Sequence, residues 1–301
     1  MQTLRETIWE FKNSGRGLGH FNISDSNQLH AVVGGAREVG LPVVVGLSEG
    51  ERDFFPLAEV RLLINLYQSQ GVRVYLNADH TYSIERVREA IDAGVDSVVV
   101  DGAKLSFEDN VALLKASVEY AREKRASSST VLGVNREVLV EGEIGYIGSS
   151  SNVIDKLPEG AAITEAMMTK PEELQKLIAE SGIDLAAPAV GNIHGIVTSG
   201  QPKLSITRIA ELAKATCPEP GRGVPLVLHG GSGSSDEEFV EAIKAGIAMI
   251  HINTDLRVTY KDELTHALAG AKEVAPYKFI TPAVNAMQSY VAQKLRLFAG
   301  Q

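Results

Sequence analysis

The sequence predicts a single-domain α/β fold, a (β/α)8 barrel spanning residues 1–301. Three observations carry the prediction. Short apolar runs alternate with helical patterns eight times along 301 residues. The runs are Val-rich and mostly unalternating, as strands covered on both faces are. Glycines mark helix stops at Gly40, Gly71, Gly94, Gly182 and Gly246. Strand, helix and strand joined by right-handed crossovers build a parallel sheet, and eight units at this length close it. A doubly wound open sheet is the alternative.

The elements follow in order. LGHFNI (18–23) leads to a helix around Asn27–Val39. LPVVVGLS (41–48) precedes a helix around Phe55–Ser69. VRVYLNADH (72–80) precedes IERVREAIDAG, and VDSVVVDG (95–102) precedes EDNVALLKASVEYAREK. TVLGVNREVLVEGEIG (130–145) holds a fifth strand and GIDLAAPAVGNIHG (182–195) a sixth. VPLVLHGG and IAMIHINTD supply the seventh and eighth. Ser235 with Glu238 fits a capping box. Two segments break the rhythm. The stretch 145–164 is long, small and polar, which reads as a functional, mobile loop. The C-terminal stretch from Tyr277 carries a last amphipathic helix.

A net charge of -9 argues against nucleic acid as the partner, while leaving room for a local basic pocket for a small anion. One cysteine, Cys217, forms no intrachain disulfide and suits a reducing compartment. No run of ~18 apolar residues suggests a membrane span. The N-terminal stretch lacks a signal-peptide core. A cytoplasmic location without a membrane partner is the expectation.

Barrel active sites form at the C-terminal ends of strands. The residues falling there are Asn22, Ser48, Asp79, His80, Asp101, Glu141, Glu143, Asn192, His194, His229, His251, Asn253 and Asp255. Four of the chain's seven histidines are among them, more than chance placement gives. Imidazole favours zinc, and a catalytic zinc keeps three protein ligands and an open position. His80, His194 and His229, from the third, sixth and seventh strands, are the trio expected to converge over the mouth. Asp79, adjacent to His80, faces another way and is free to meet substrate. The GGSGSS turn after His229 sets backbone amides before a helix N-terminus, a cradle for phosphate.

At these residues the chain resembles the class II, metal-dependent fructose-bisphosphate aldolases. FNISD, LSEG, ADH, DGAKLSFEDN, VEGEIG, PAVGNIHG, LVLHGGSG and INTDLR occur in family order. The resemblance implies a lyase that cleaves a ketose bisphosphate, foremost fructose 1,6-bisphosphate, into dihydroxyacetone phosphate and an aldehyde. It maps zinc onto His80, His194 and His229, allows a second divalent or a monovalent cation, and implies a homodimer or homotetramer. Asp79 matches the acid/base aspartate, and Glu143 a glutamate that approaches the metal. Gly195, Gly231, Ser232 and the stretch Asn253, Thr254 and Asp255 match the phosphate loop. Asn22 and Ser48 match substrate-contacting positions, and Arg257 a position used for the far phosphate. The sequence departs from the family at Asn77 and Thr198, at His251 in place of a substrate-contacting asparagine, at Asn253, and in the GSSSN run, which lacks the family's loop acid. Glu143, then Asp155, are the expected substitutes for that acid. Tagatose 1,6-bisphosphate or another ketose phosphate is the second substrate reading. A zinc hydrolase and a non-catalytic metabolite-binding relative are the other classes.

Overall fold

The computed structural model describes residues 2–127, 137–148, 151–198, 200–219, 221–270 and 272–301. Ten strands occur among them: β1 (Leu18–Asn22), β2 (Val43–Leu47), β3 (Val74–Thr81), β4 (Ser97–Val100), β5 (Leu139–Ile144), β6 (Val153–Ile154), β7 (Leu185–Pro188), β8 (Ile196–Val197), β9 (Leu226–Leu228) and β10 (Ile247–Ile252). Eight of them close a parallel barrel in the order β1-β10-β9-β7-β5-β4-β3-β2. The Val-rich runs explain the closure. In β2, Val43, Val44 and Val45 are all fully buried, alternate residues facing the barrel interior and the helix layer. Each such side chain contributes about 1.5–3 kcal/mol on burial.

The helices outside are specified by their ends. Asp25 caps the helix Ser26–Val39, and Gly40, in the left-handed region at φ 68°, ends it. Ser235 and Glu238 form the expected reciprocal box at the start of Asp236–Ala245. The C-terminal helix Pro276–Phe298 packs on Ser26–Val39. Gly34 and Gly35 permit that approach, since a Cβ on Gly35 would meet the Gln288 carbonyl oxygen at 2.8 Å.

Boundaries differ from the sequence reading in three places. The second βα unit holds two helices, Glu49–Phe54 and Leu57–Ser69, because Pro56 breaks the first. A helix Leu4–Asn13 with a Thr3–Glu6 capping box precedes the barrel. The fifth strand starts at Leu139; residues 130–136 of the segment that predicted it lie outside the described residues. Within 145–164, residues 149 and 150 lie outside them too. The rest is tied to the loop after β7. β6 pairs in parallel with β8, and the His194 amide donates to the Ile147 carbonyl at 2.8 Å.

Candidate active site

The C-terminal mouth of the barrel gathers four of the expected polar side chains into one nest. His80, the last residue but one of β3, lies in the left-handed region at φ 38°, the one non-glycine with positive φ among the described residues. The β3–β4 register shifts across that point, between Ala78 and Thr81. Strain of this kind costs about 1–3 kcal/mol and persists where surrounding structure enforces it. Here it turns the ring toward Glu143, whose Oε2 lies 3.4 Å from His80 Nδ1. Glu143 Oε1 lies 3.9 Å from His194 Nε2. His229 follows β9 and presents Nε2 to Glu141 Oε1 at 2.6 Å. His80, Glu143, His194 and His229 each offer one ligand atom, all within 4.8 Å of one another. His194 reaches this nest from the loop beyond β7 rather than from the strand end itself.

Electrostatics and unmet hydrogen bonds both fit a cation here. His194 Nε2, His229 Nδ1 and Glu143 Oε2 are buried without a hydrogen-bond partner. Buried polar atoms are ordinarily satisfied, so three orphans facing one point mark a place for a ligand. Burial works against a charged His80, yet Asp79, Glu143 and Asp101 hold its pKa well above the usual histidine range. Burial likewise opposes ionisation of Glu143, but His80 and His194 hold it well below the carboxylate range. A proton on His80 thus balances charge that a divalent ion would balance. Burial lowers His194, with Glu143 partly offsetting it. Burial also opposes charge on His229, overcome by the hydrogen bond its ring donates to Glu141, and its pKa rises. Burial raises Glu141 itself. With Nε2 engaged by Glu141, His229 keeps Nδ1 for metal, the usual carboxylate–histidine arrangement.

Asp79 sits beside the nest, 3% exposed. Asn22 Nδ2, at the end of β1, donates to its Oδ2 at 2.9 Å and fixes the carboxylate. Its Oδ1 is unpartnered, 3.5 Å from His251 Nδ1. Burial opposes its ionisation, but His80, His251 and His20 keep the carboxyl well below its usual range. A stack of imidazoles backs it. His20 lies 3.5 Å from His251 ring to ring, and His251 lies 4.2 Å from His229. Burial, with repulsion from His20 and His229, keeps His251 neutral. His20 was not read from the sequence, although it is two residues before Asn22 and so shares its inward face.

The two helix starts that the sequence reading offers an anion differ in how far their own side chains close them. The helix after the GGSGSS turn is closed by its own Ser235–Glu238 box. The Gly231 amide donates to the His251 carbonyl at 3.2 Å, and the Ser235 amide to Glu238. The open helix start is the next one, Thr254–Leu268, whose N-cap Asn253 makes no side-chain cap. The Asp255 amide meets Ser232 Oγ at 3.2 Å, joining the two loops. Gly195, Ser232, Asn253 and Thr254 line one small cavity with the histidines. The Asp255 carboxylate turns away and accepts from the Tyr290 hydroxyl at 2.8 Å.

Beyond His80 and His194 the site opens into a larger cavity of about 370 Å³, reaching Ser48, Tyr82, Asp101, Asn152 and Arg257. Ser48 donates its amide and hydroxyl to Glu51. Asp155 lies apart on the rim, where its Oδ1 accepts from the Thr198 hydroxyl at 3.3 Å.

The closed barrel and its histidine–carboxylate nest define a class first: a barrel enzyme of the metal-assisted kind. Comparison with known proteins then gives the family. A profile described as "Fructose-bisphosphate aldolase class-II" matches residues 2–301, and the chain belongs to that family of lyases, zinc-dependent in general. It is 32% identical over 301 residues to the fructose-bisphosphate aldolase of Staphylococcus aureus, covering 98% of this chain and 96% of that one. It is 31% identical to that of Geobacillus stearothermophilus, with the same coverage. Among solved structures, the YdjI aldolase of Escherichia coli K12 superposes with a TM-score of 0.77 at 25% identity, over 98% of this chain and 96% of that one. The fructose-bisphosphate aldolase of Campylobacter jejuni shares the fold, with a TM-score of 0.75 at 17% identity over 97% and 92% of the two chains.

Proposed function

We propose that the chain is a zinc-dependent aldolase that reversibly cleaves a ketose phosphate into dihydroxyacetone phosphate and an aldehyde, with fructose 1,6-bisphosphate the first substrate to test. The observation that carries the reading is the nest of His80, His194, His229 and Glu143 with three orphaned donor atoms, one residue away from the pinned carboxylate of Asp79. His80, His194 and His229 would hold the zinc, which would supply a Lewis acid for the ketose carbonyl. In cleavage Asp79 takes the proton of the C4 hydroxyl, the C3–C4 bond breaks, and its electron pair stays on C3, which then takes a proton. Asn22 fixes Asp79 for that transfer. Ser232, Thr254 and Gly195 take the phosphate of the dihydroxyacetone half, where a helix start favours an anion. Glu143 is the first candidate for moving the C3 proton, and Asp155 the second.

Residues 145–164 act as a lid in this reading, with Ser151 and Asn152 on the cavity wall as its support. A single catalytic ion, a homodimer or homotetramer, and a cytoplasmic location complete the proposal. No helix among the described residues is long and apolar enough to cross a membrane. A tagatose bisphosphate is the alternative substrate, since the family resemblance places at Asn253 the position tied to fructose-versus-tagatose stereochemistry. The test is a coupled cleavage assay on both ketose bisphosphates, with and without chelator. Activity that disappears with chelator and returns with zinc is expected; borohydride trapping of a substrate–lysine adduct would overturn it.

A further inference from the structure

We propose that Glu51 sets the substrate range: by holding Arg257 it cancels recognition of a phosphate on the aldehyde half, so a ketose 1-phosphate with an uncharged polyol tail is turned over at least as well as a ketose bisphosphate. The proposal rests on the aldolase reading above. The two ends of the site are electrostatically unlike. The inner end, at Ser232 and Thr254, offers a hydroxyl and an uncapped helix start to an anion. The outer cavity shares His80, Ser151, His194 and Asn253 with it, and its further charged lining is Glu49, Asp101 and Arg257. Among the described residues, Arg257 is the one arginine or lysine lining that cavity.

Arg257 is not available as a free cation. Its guanidinium lies 2.6 Å from Glu51 Oε1 and 3.3 Å from the Ser151 carbonyl oxygen. Glu51 is no passing partner. Its side chain is 6% exposed against 39% for Arg257, so the carboxylate is the fixed member of the pair. The Ser48 amide at 2.8 Å, the Ser48 hydroxyl at 2.9 Å and Asn22 Nδ2 at 3.0 Å hold its Oε2. A second phosphate arriving at Arg257 therefore meets a buried carboxylate already bound there. Neighbouring arginines do not substitute. Arg52 faces Glu49 at 3.6 Å and Thr81, and Arg86 is bound by Asp53 and Glu89. A hydroxylated tail needs hydrogen-bond partners rather than net positive charge, and Ser48, Tyr82 and Asn253 line the same wall.

The experiment compares kcat/KM of the zinc-loaded enzyme for fructose 1,6-bisphosphate and fructose 1-phosphate, in the wild type and in Glu51→Gln. Glutamine keeps an acceptor for Ser48 and removes the charge. The wild-type ratio is expected near or below one. In Glu51→Gln it is expected to rise by about tenfold or more through a lower bisphosphate KM, the size of one charge interaction in a partly exposed site. A second measurement needs no variant. In the condensation direction, D-glyceraldehyde should serve dihydroxyacetone phosphate as well as glyceraldehyde 3-phosphate does. A wild-type preference of more than about threefold for the phosphorylated partner overturns the proposal, as does a folded, zinc-loaded Glu51→Gln with an unmoved ratio. Absence of turnover on either ketose phosphate sinks the aldolase reading, and this one with it; turnover with strong bisphosphate preference sinks this one alone.

Discussion

Replacing Asp79 by asparagine isolates its proton from its shape. In the structure Oδ2 accepts from Asn22 at 2.9 Å, while Oδ1 has no partner and faces the nest. An asparagine oxygen can keep the Asn22 bond, with its amide nitrogen toward the neutral ring of His251. Folding should therefore change little. Alanine, by contrast, leaves a buried Asn22 N–H unmet, a cost of about 1–3 kcal/mol in stability. What asparagine removes is the base. General acid–base catalysis contributes about 10²–10⁴-fold, or about 2.7–5.5 kcal/mol of transition-state stabilisation. The assay is coupled turnover of the ketose phosphate beside zinc content measured on the same sample. The expected result is a kcat lower by that factor with zinc content near wild type. Wild-type turnover in Asp79→Asn would refute the assigned role. Loss of zinc would instead move Asp79 into the metal's surroundings.

Three further outcomes follow from neighbouring contacts. Glu141→Gln weakens the buried bond that orients His229, so zinc affinity measured by chelator competition should fall about 10–100-fold; unchanged affinity would mean that the ring needs no orienting. Gly230→Ala adds a Cβ 2.2 Å from the Ile193 carbonyl oxygen at φ 58°, and should lower both the unfolding midpoint and zinc retention because it drives the His194 and His229 segments apart; a wild-type midpoint would show that the backbone relaxes freely. His20 is held to a pKa of about 4 by burial, against 6.5 unperturbed. The unfolded chain binds this proton first as pH falls, so stability is full above 6.5 and is lost by about 3 kcal/mol on descending through the window to 4. Chemical denaturation across that window checks it: His20→Gln should show a shallower slope than wild type, and equal slopes would assign the acid sensitivity elsewhere.

The site was legible where chemistry and strand ends coincide. His80 and His229 could be picked out because polar residues at the ends of buried apolar runs need a reason to be there, while His194, in the loop beyond β7, was reached by reading its run as longer than the strand is. Asp79 could be placed beside them because it is adjacent to His80 in sequence. What was not legible depends on distances across the barrel. Glu51 lies on a short helix that Pro56 separates from the next, and its partner Arg257 is 206 residues away, so no spacing rule joins them. Of the two loops that the sequence offered an anion, the one after β10 keeps the uncapped helix start, because the Ser235–Glu238 box, itself readable, closes the nearer one. His20 was hidden by burial on both faces of β1, which erases the alternation that would show its direction.

The pairing of β6 with β8 links two processes that would otherwise be independent. β8 begins two residues after His194, whose own amide is bonded to Ile147, so the segment carrying His194 is hydrogen-bonded to the strap of residues 145–164 at Ile147 and again at Asn152 and Ile154. Ordering the one therefore orders the other. If substrate closes the strap, the same free energy must appear as tighter hold on zinc, and zinc must in return slow amide exchange at Val153, Ile154, Ile196 and Val197, because such coupling is reciprocal. Equal exchange rates in the zinc-loaded and zinc-free protein would show that the strap and the ligand move separately. If the strap closes on substrate, the small two-stranded sheet couples metal occupancy to substrate retention, and zinc would be held more loosely with the mouth open than during turnover.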